Sequence, residues 1–349
     1  MDRIAQNLSE TDQFLVQAAI GRDLPAFCAG MGIDLAAFAR AVDLDPAAFD
    51  AFDAYISLDR LCRLMKAISV TMADDAFGLH YGLFYKAGGT GPFGLGLNAA
   101  PTFGDMLEFY RRYVGVVVHS ETNIVTVGQE TFSIEWSYSP LIAHQEQYSD
   151  FSACAVLRAF SGFAGQRVLP LHGHLKRAAP INTALYEQTF TGNIVYGAST
   201  NRLFFPASLL ALENPAGNSA AFAYMSQQCD AVLDRLARRK TAVAMVVDDL
   251  TQHLGRKNCG IGAVARRIGV SERTLQRRLH VVGTDFSRLF ETTRDGASVR
   301  LLTETEKPVA EIADLLGYGS QSAYARAVKR VHGLTPRQIR SAGRAIPRQ

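Results

Sequence analysis

The sequence predicts an α+β N-terminal domain followed by an all-α C-terminal domain of two helix-turn-helix units joined by a connecting helix. Three observations predict this. In the front half, apolar residues recur at helical spacing in some stretches and alternate as in strands in others. In the last third, Val264, Ala265, Ile268 and Gly269 return 48 positions later as Ile312, Ala313, Leu316 and Gly317. The charge is also divided. Residues 1–220 hold 14 basic and 21 acidic side chains, a net −7, whereas residues 221–349 hold 22 and 12, a net +10. A chain of 349 residues has the length of two ordinary domains.

In the front half, residues 11–86 read as mostly helical. Leu58, Leu61, Leu64, Met65 and Ile68 follow one another at three- and four-residue steps and mark a buried helical face. A second helix is expected over residues 74–86, with Asp74 or Asp75 at its cap. Residues 24–38 have helix-turn-helix spacing but little positive charge, so they read as packing helices. The run Gly88-Gly89-Thr90-Gly91-Pro92-Phe93-Gly94-Leu95-Gly96 is glycine-rich. A phosphate cradle needs such a run after a strand and with a lysine. Neither is present, so a structural turn is expected. Thr102 is placed to cap a helix ending near Val114. Residues 123–127 and 131–138 alternate apolar and polar side chains around Gly128-Gln129, as a hairpin does. A helix over 147–165 and strand pieces near 167–172, 193–197 and 203–205 complete the domain. Residues 214–219 form the best linker, and everything after them reads as helical.

Bulk features exclude several classes. The five cysteines, Cys28, Cys62, Cys154, Cys229 and Cys259, are widely spaced and contain no Cys-x-x-Cys, so buried thiols are expected and no metal site. The start, residues 1–7, has no apolar signal core, and the aliphatic run 114–118 is far below the ~20 residues of a membrane span. A cytoplasmic protein without membrane contact is expected. The sequence contains no Gly-x-Ser-x-Gly, His-Glu-x-x-His or nucleotide loop, and no cysteine is followed by histidine. Neither an enzyme nor a cofactor is expected.

Each position of the tail repeat has a physical reason. Val264 with Ile268, and Ile312 with Leu316, are i,i+4 pairs facing a small core. Ala265 and Ala313 let two helices cross closely. Gly269 and Gly317 fall where a helix ends in a left-handed turn, and Ser271 and Ser320 then cap the following helix. In such a unit the second helix lies in the major groove of double-stranded DNA. The exposed face of the first recognition helix offers Arg273, Thr274, Gln276, Arg277 and Arg278. The second offers Ser320, Gln321, Ser322, Tyr324, Arg326, Lys329 and Arg330. Arg pairs with guanine and Gln with adenine through two hydrogen bonds each, while the other cations hold phosphates. A connecting helix over 287–303 is ~25 Å long at ~1.5 Å per residue, which sets the two reading helices about one DNA turn, ~34 Å, apart. Gly296 within it favours a bend.

The tail resembles the AraC/XylS family of bacterial transcription regulators. The second unit carries that family's pattern in Ile312-Ala313, Leu316-Gly317-Tyr318, Ser322, Tyr324, Arg326, Lys329-Arg330, Gly333, Pro336 and Arg340, and the likeness spans residues 258–340. It departs from the pattern at Val328, where the family usually has Phe. The resemblance implies base contacts by Arg273, Gln276 and Arg277 in the first helix and by Gln321, Ser322 and Arg326 in the second. Gly94-Leu95-Gly96, Ala99-Ala100-Pro101-Thr102 and the stretch 186–209 are similar to the arabinose-binding-like effector domain of the ornithine-utilisation and virulence-regulator subgroup, over about residues 20–210. This organisation predicts an effector-sensing and dimerisation domain over 1–215, a linker and start of the tail over 216–240, and a DNA-binding domain over 241–343.

Such a regulator is expected to bind promoter DNA, a small-molecule effector and RNA polymerase, either as a monomer or as a homodimer. The alternative is an effector-independent regulator whose front domain only dimerises or contacts the polymerase. Candidate pocket aromatics are Phe84, Tyr85, Phe93, Phe103, Phe109, Tyr110, Tyr113, Trp136, Tyr138, Phe151, Phe160 and Phe163. Candidate polar anchors are Arg111, Arg112, His119, His144 and Arg158. The sequence singles out no effector-binding set among them.

Overall fold

The computed structural model describes residues 14–344, apart from 52–53, 87–88, 120, 140–141, 143, 191–192, 240–241, 255–258, 282–283 and 306. The expectations placed on residues 1–7, on Gly88 and on the domain boundary at 240–241 lie outside them. Packing divides the chain into two compact units, one of Phe14–Ile194 with Asn201–Arg239, the other containing Lys240–Gln349.

In the front unit, strands β1 (Leu15–Gln17) and β2 (Tyr55–Ser57) pair antiparallel, with Val16 opposite Ile56. The stretch is otherwise mostly helical, as expected; these two strands were not anticipated, because three residues are too few for alternation to stand out. Helices α1 (Leu24–Gly30) and α2 (Leu35–Ala41) are the expected packing pair, and α3 (Leu58–Thr71) buries Leu58, Leu61, Leu64, Met65 and Ile68. The next helix, α4 (Phe77–Phe84), is shorter than predicted. Ala73 turns the chain at φ +51°, and Asp74 accepts the Ala76 N–H at 3.0 Å ahead of the helix. Asp75 accepts instead from Ile181 N–H, at 2.7 Å.

The second half of the glycine-rich run, from Pro92, lies in a helix, α5 (Pro92–Ala99), and the expected turn is confined to the residues just before it. Gly91 at φ +61° leads into it and the Pro92 ring is tolerated in its first turn. Helix α6 (Phe103–Tyr113) starts at a reciprocal capping box between Thr102 and Asp105. Strands β3 (Glu121–Val127) and β4 (Thr131–Tyr138) form the predicted hairpin. Helix α7 (Glu146–Ala164) ends at left-handed Gly165. It packs on α4 so closely that a Cβ at Gly78 would lie 1.9 Å from the Gln147 carbonyl oxygen, while Gln147 Oε1 accepts the Gly78 N–H at 2.7 Å.

Strand β5 (His172–Leu175) lies later than the predicted 167–172, because Pro170 has no N–H for a ladder. After α8 (Ala184–Phe190) come β6 (Ile194–Tyr196) and β7 (Asn201–Pro206), and the larger sheet runs β3-β4-β7-β5-β6. A buried charge cluster ties α7 to α8. Tyr186 donates to Asp150 Oδ2 at 2.7 Å, and Arg177 pairs with the same carboxylate.

Residues 214–219, read as a linker, are docked. Asn214 Nδ2 donates to the carbonyls of Asn98 and Ala100 at 2.8 and 2.9 Å, and Asn218 Oδ1 accepts from Ala221 N–H. Helix α9 (Ser219–Arg239) then returns to the front unit, with Phe222 5.3 Å from Phe109 and Asp230 2.9 Å from Arg112. The stretch 216–240, expected to begin the tail, therefore packs with the front domain as far as Arg239.

The second unit is helical throughout its described part from Ala242. It comprises α10 (Ala242–His253), α11 (Ile261–Arg267), α12 (Glu272–Val281), α13 (Phe286–Glu304), α14 (Val309–Leu315), α15 (Gln321–His332) and α16 (Pro336–Arg344). Asp249 on α10 takes Arg267 of α11 in two hydrogen bonds of 2.7 and 2.6 Å. Gly296 lies inside α13, which is one continuous helix. No helix among the described residues is long and apolar enough to cross a membrane.

Candidate nucleic-acid interface and front-domain cavity

The repeat in the sequence becomes two helix-turn-helix units, α11 with α12 and α14 with α15. Gly269 and Gly317 turn the chain at φ +76° and +73°, a conformation that costs glycine little. Ser271 Oγ accepts the Thr274 N–H and Ser320 Oγ the Ala323 N–H, each at 3.1 Å, so each reading helix begins on a serine cap.

The second unit closes on a core of Leu302, Ile312, Ala313, Leu316, Tyr324 and Val328, with Tyr318 and Ile339 packed against it. Val328 fills its place without leaving the core. Arg340 on α16 clamps the end of α13: its Nη2 donates to the Lys307 carbonyl at 2.6 Å and its Nε to that of Leu302 at 3.2 Å. Arg294 lies over the Tyr318 ring at 4.2 Å, and His332 meets Asp295 at 2.8 Å.

This packing decides which side of each reading helix faces out. On α12, Leu275 and Leu279 point inward, while Arg273, Gln276, Arg277 and Arg278 are exposed. Thr274 is half-buried, with its hydroxyl on that of Ser271. On α15, Gln321, Ser322, Arg326, Lys329 and Arg330 are exposed. Among the described residues, Arg273, Arg277, Arg278, Arg326, Lys329 and Arg330 form no ion pair within the chain. Ser320 is exposed and occupied as the cap.

Tyr324 corrects the sequence reading. It is fully buried and its hydroxyl is bonded to that of Ser298, so it holds the unit together from inside and does not face outward. The signal was present: Tyr324 and Val328 are an i,i+4 pair on the side opposite Arg326. Ser298, 26 positions away on α13, had no such signal.

The front unit holds a partly open cavity of about 240 Å³ between α5, α6 and α7. Of the candidate aromatics, Tyr85, Phe93, Tyr110, Phe151 and Phe160 line it, as does Tyr148, which the sequence reading missed. Phe103, Phe109, Tyr113, Trp136, Tyr138 and Phe163 are buried in the core, while Phe84 is exposed. Arg158 alone of the polar candidates reaches the cavity. Arg111 and Arg112 pair with Glu108 and Asp230, His119 stacks near Tyr55 at 4.7 Å, and His144 is exposed at φ +57°. All five cysteines are free thiols, and four are buried; burial pushes the Cys28 thiol up to about 11. The described residues contain no cluster of metal-ligating side chains.

Two serine-capped helix-turn-helix units in one compact unit, with an α+β domain in the other, define the class of helix-turn-helix transcription regulators. The comparisons agree. Residues 32–214 match the family model for the arabinose-binding domain of AraC transcription regulators, and residues 264–342 match a helix-turn-helix domain. The chain is 30% identical to the transcriptional regulator VirS of Mycobacterium tuberculosis, over 83% of this chain and 86% of that protein. It is 23% identical to the ornithine utilization regulator of Pseudomonas aeruginosa, over 77% of this chain and 79% of that one. The crystal structure of the regulator CdpR from Pseudomonas aeruginosa matches with a TM-score of 0.41 at 20% identity, covering 88% of this chain and 96% of that one. The chain belongs to the AraC family of DNA-binding transcription regulators. It is a regulator and not an enzyme.

Proposed function

We propose that this chain binds promoter DNA in the cytoplasm through α12 and α15, which enter two successive major-groove segments, and that a small molecule in the front domain alters this binding. The observation that carries the reading is the outward face of the two helices: Arg273, Gln276 and Arg277 on one, Gln321, Ser322 and Arg326 on the other, with the cations in no ion pair among the described residues. Arg and Gln are the side chains that read guanine and adenine edges bidentately. Arg278, Lys329 and Arg330 then neutralise phosphates. Thr274 and Ser320, engaged at the caps, position the helices. The connecting helix α13 has 19 residues and spans about 28 Å, which suits heads placed on neighbouring turns.

The apolar, aromatic-lined pocket supports an effector-responsive front domain over one that serves only for dimerisation or polymerase contact, since small-molecule sites are concave and mostly apolar. Homodimerisation and contact with RNA polymerase belong to the same proposal. Gel shift on DNA from the chain's own upstream region tests it. Specific binding that alanine at Arg277 and Arg326 leaves intact would overturn the assigned helices.

A further inference from the structure

The cavity also bears on what enters it. Its wall is mostly hydrocarbon and ring surface, including Phe93, Leu97, Met106, Tyr110 and Phe151, with Thr90, Asn98 and Ser152 as uncharged polar side chains besides the tyrosines. Among its described lining residues Arg158 is the single charged one, and no carboxylate lines it. Arg158 is exposed and donates one hydrogen bond, from Nη1 to the Leu83 carbonyl at 3.0 Å. It has no carboxylate partner among the described residues. A guanidinium carries five donors, so it retains donors for an incoming group.

We propose, on the reading that the front domain responds to an effector, that the effector is a carboxylate with an aliphatic or aryl body of about ten non-hydrogen atoms. Its body fills the cavity and its carboxylate pairs with Arg158. Size and polarity argue for this together. An apolar cavity of ~150 Å³ takes benzene, with six carbons. About 240 Å³ then takes roughly ten heavy atoms.

A sugar does not suit this wall. Its several hydroxyls each need a partner, and burying one without a partner is costly. The hydroxyls on offer are partly committed: Ser152 donates to the Tyr148 carbonyl and accepts from Tyr138, and Tyr110 accepts from Asn123. The match to a family described as arabinose-binding therefore does not carry its sugar to this chain. A cationic ligand meets the lone positive charge of Arg158 and is repelled.

Isothermal titration of the full-length protein with octanoate, octanol, octylamine and L-arabinose tests the proposal. Octanoate is expected to bind saturably, and octanol about tenfold more weakly, the effect of one lost charge-assisted pair. Arg158→Gln, at an exposed position, should erase the preference while still binding octanol. Leu97→Trp, which fills the cavity, should abolish both. Octanol, octylamine or L-arabinose binding the wild type as tightly as octanoate would overturn the carboxylate assignment and leave an effector-responsive domain standing. An unchanged octanoate preference in Arg158→Gln would do the same. If none of the four binds and Leu97→Trp leaves promoter affinity and its response to cell extract unchanged, both the assignment and the effector reading fall.

Discussion

The hydroxyl of Tyr324 on α15 lies 2.7 Å from that of Ser298 on α13, with both side chains buried. The second reading helix is thus fixed to the connecting helix by a buried hydrogen bond near the N-terminal end of α15. Tyr324→Phe leaves the Ser298 hydroxyl without a partner and should cost about 1–3 kcal/mol in urea unfolding. Binding-site selection with this variant should return the wild-type base preferences, because the side chain is buried in the core of its own unit. A changed preference at one base position would put Tyr324 back on the DNA side.

The caps set where the reading helices begin. Ser320→Ala removes the acceptor of the Ala323 N–H and should lower stability by about 1 kcal/mol, with Ser320→Asp restoring most of the loss. Ser271→Ala should behave alike through Thr274. Thermal unfolding of the four proteins is the check. An Asp variant no better than Ala would mean that the serine acts otherwise than as a cap.

The legible parts of this molecule are those whose causes are local. The turn glycines Gly269 and Gly317, the capping serines and the Thr102 cap follow from residues a few positions apart, as does the β3–β4 hairpin. What escaped the sequence depends on distant partners. The three-residue strands β1 and β2 exist only because they pair with each other. The second half of the glycine-rich run becomes part of α5 because the chain there meets another helix: a Cβ on Gly96 would lie 2.1 Å from the Phe109 ring. Tyr148 joins the cavity wall through the packing of α7. Helix α9 follows a plausible linker yet docks on α5 and α6, which a composition shift at 214–219 does not reveal.

Burial holds the Asp150 carboxyl up at about 6, outweighing its pairing with Arg177 and its hydrogen bond from Tyr186. An unfolded Asp titrates near ~3.9. The folded chain therefore takes up a proton between these values. Asp150 contributes stability that is full below ~4 and lost as pH rises through about 6. Arg177→Gln removes the counter-charge and pushes Asp150 higher still. Its deficit against wild type should be about 3–5 kcal/mol at pH 8, where the carboxylate must ionise unpaired, and smaller at pH 5. Urea unfolding at the two pH values measures this, and an equal deficit at both would contradict it.

Because exposed cations with no ion pair among the described residues line both α12 and α15, specific binding should weaken steeply as salt rises. Lys329→Ala should flatten the slope of log affinity against log salt by ~1 without altering base preference. Fluorescence anisotropy across a salt series gives the slope directly. An unaltered slope would remove Lys329 from the phosphate contacts.

The central claim is that α12 and α15 both read bases. The most direct measurement is the affinity of the full chain for its own upstream DNA, for wild type, Arg277→Ala, Arg326→Ala and the double variant. Each single change should cost about 1–3 kcal/mol and relax preference at a different base position, with the two losses adding because the helices act on separate segments. Single variants that bind with wild-type affinity and preference would contradict it.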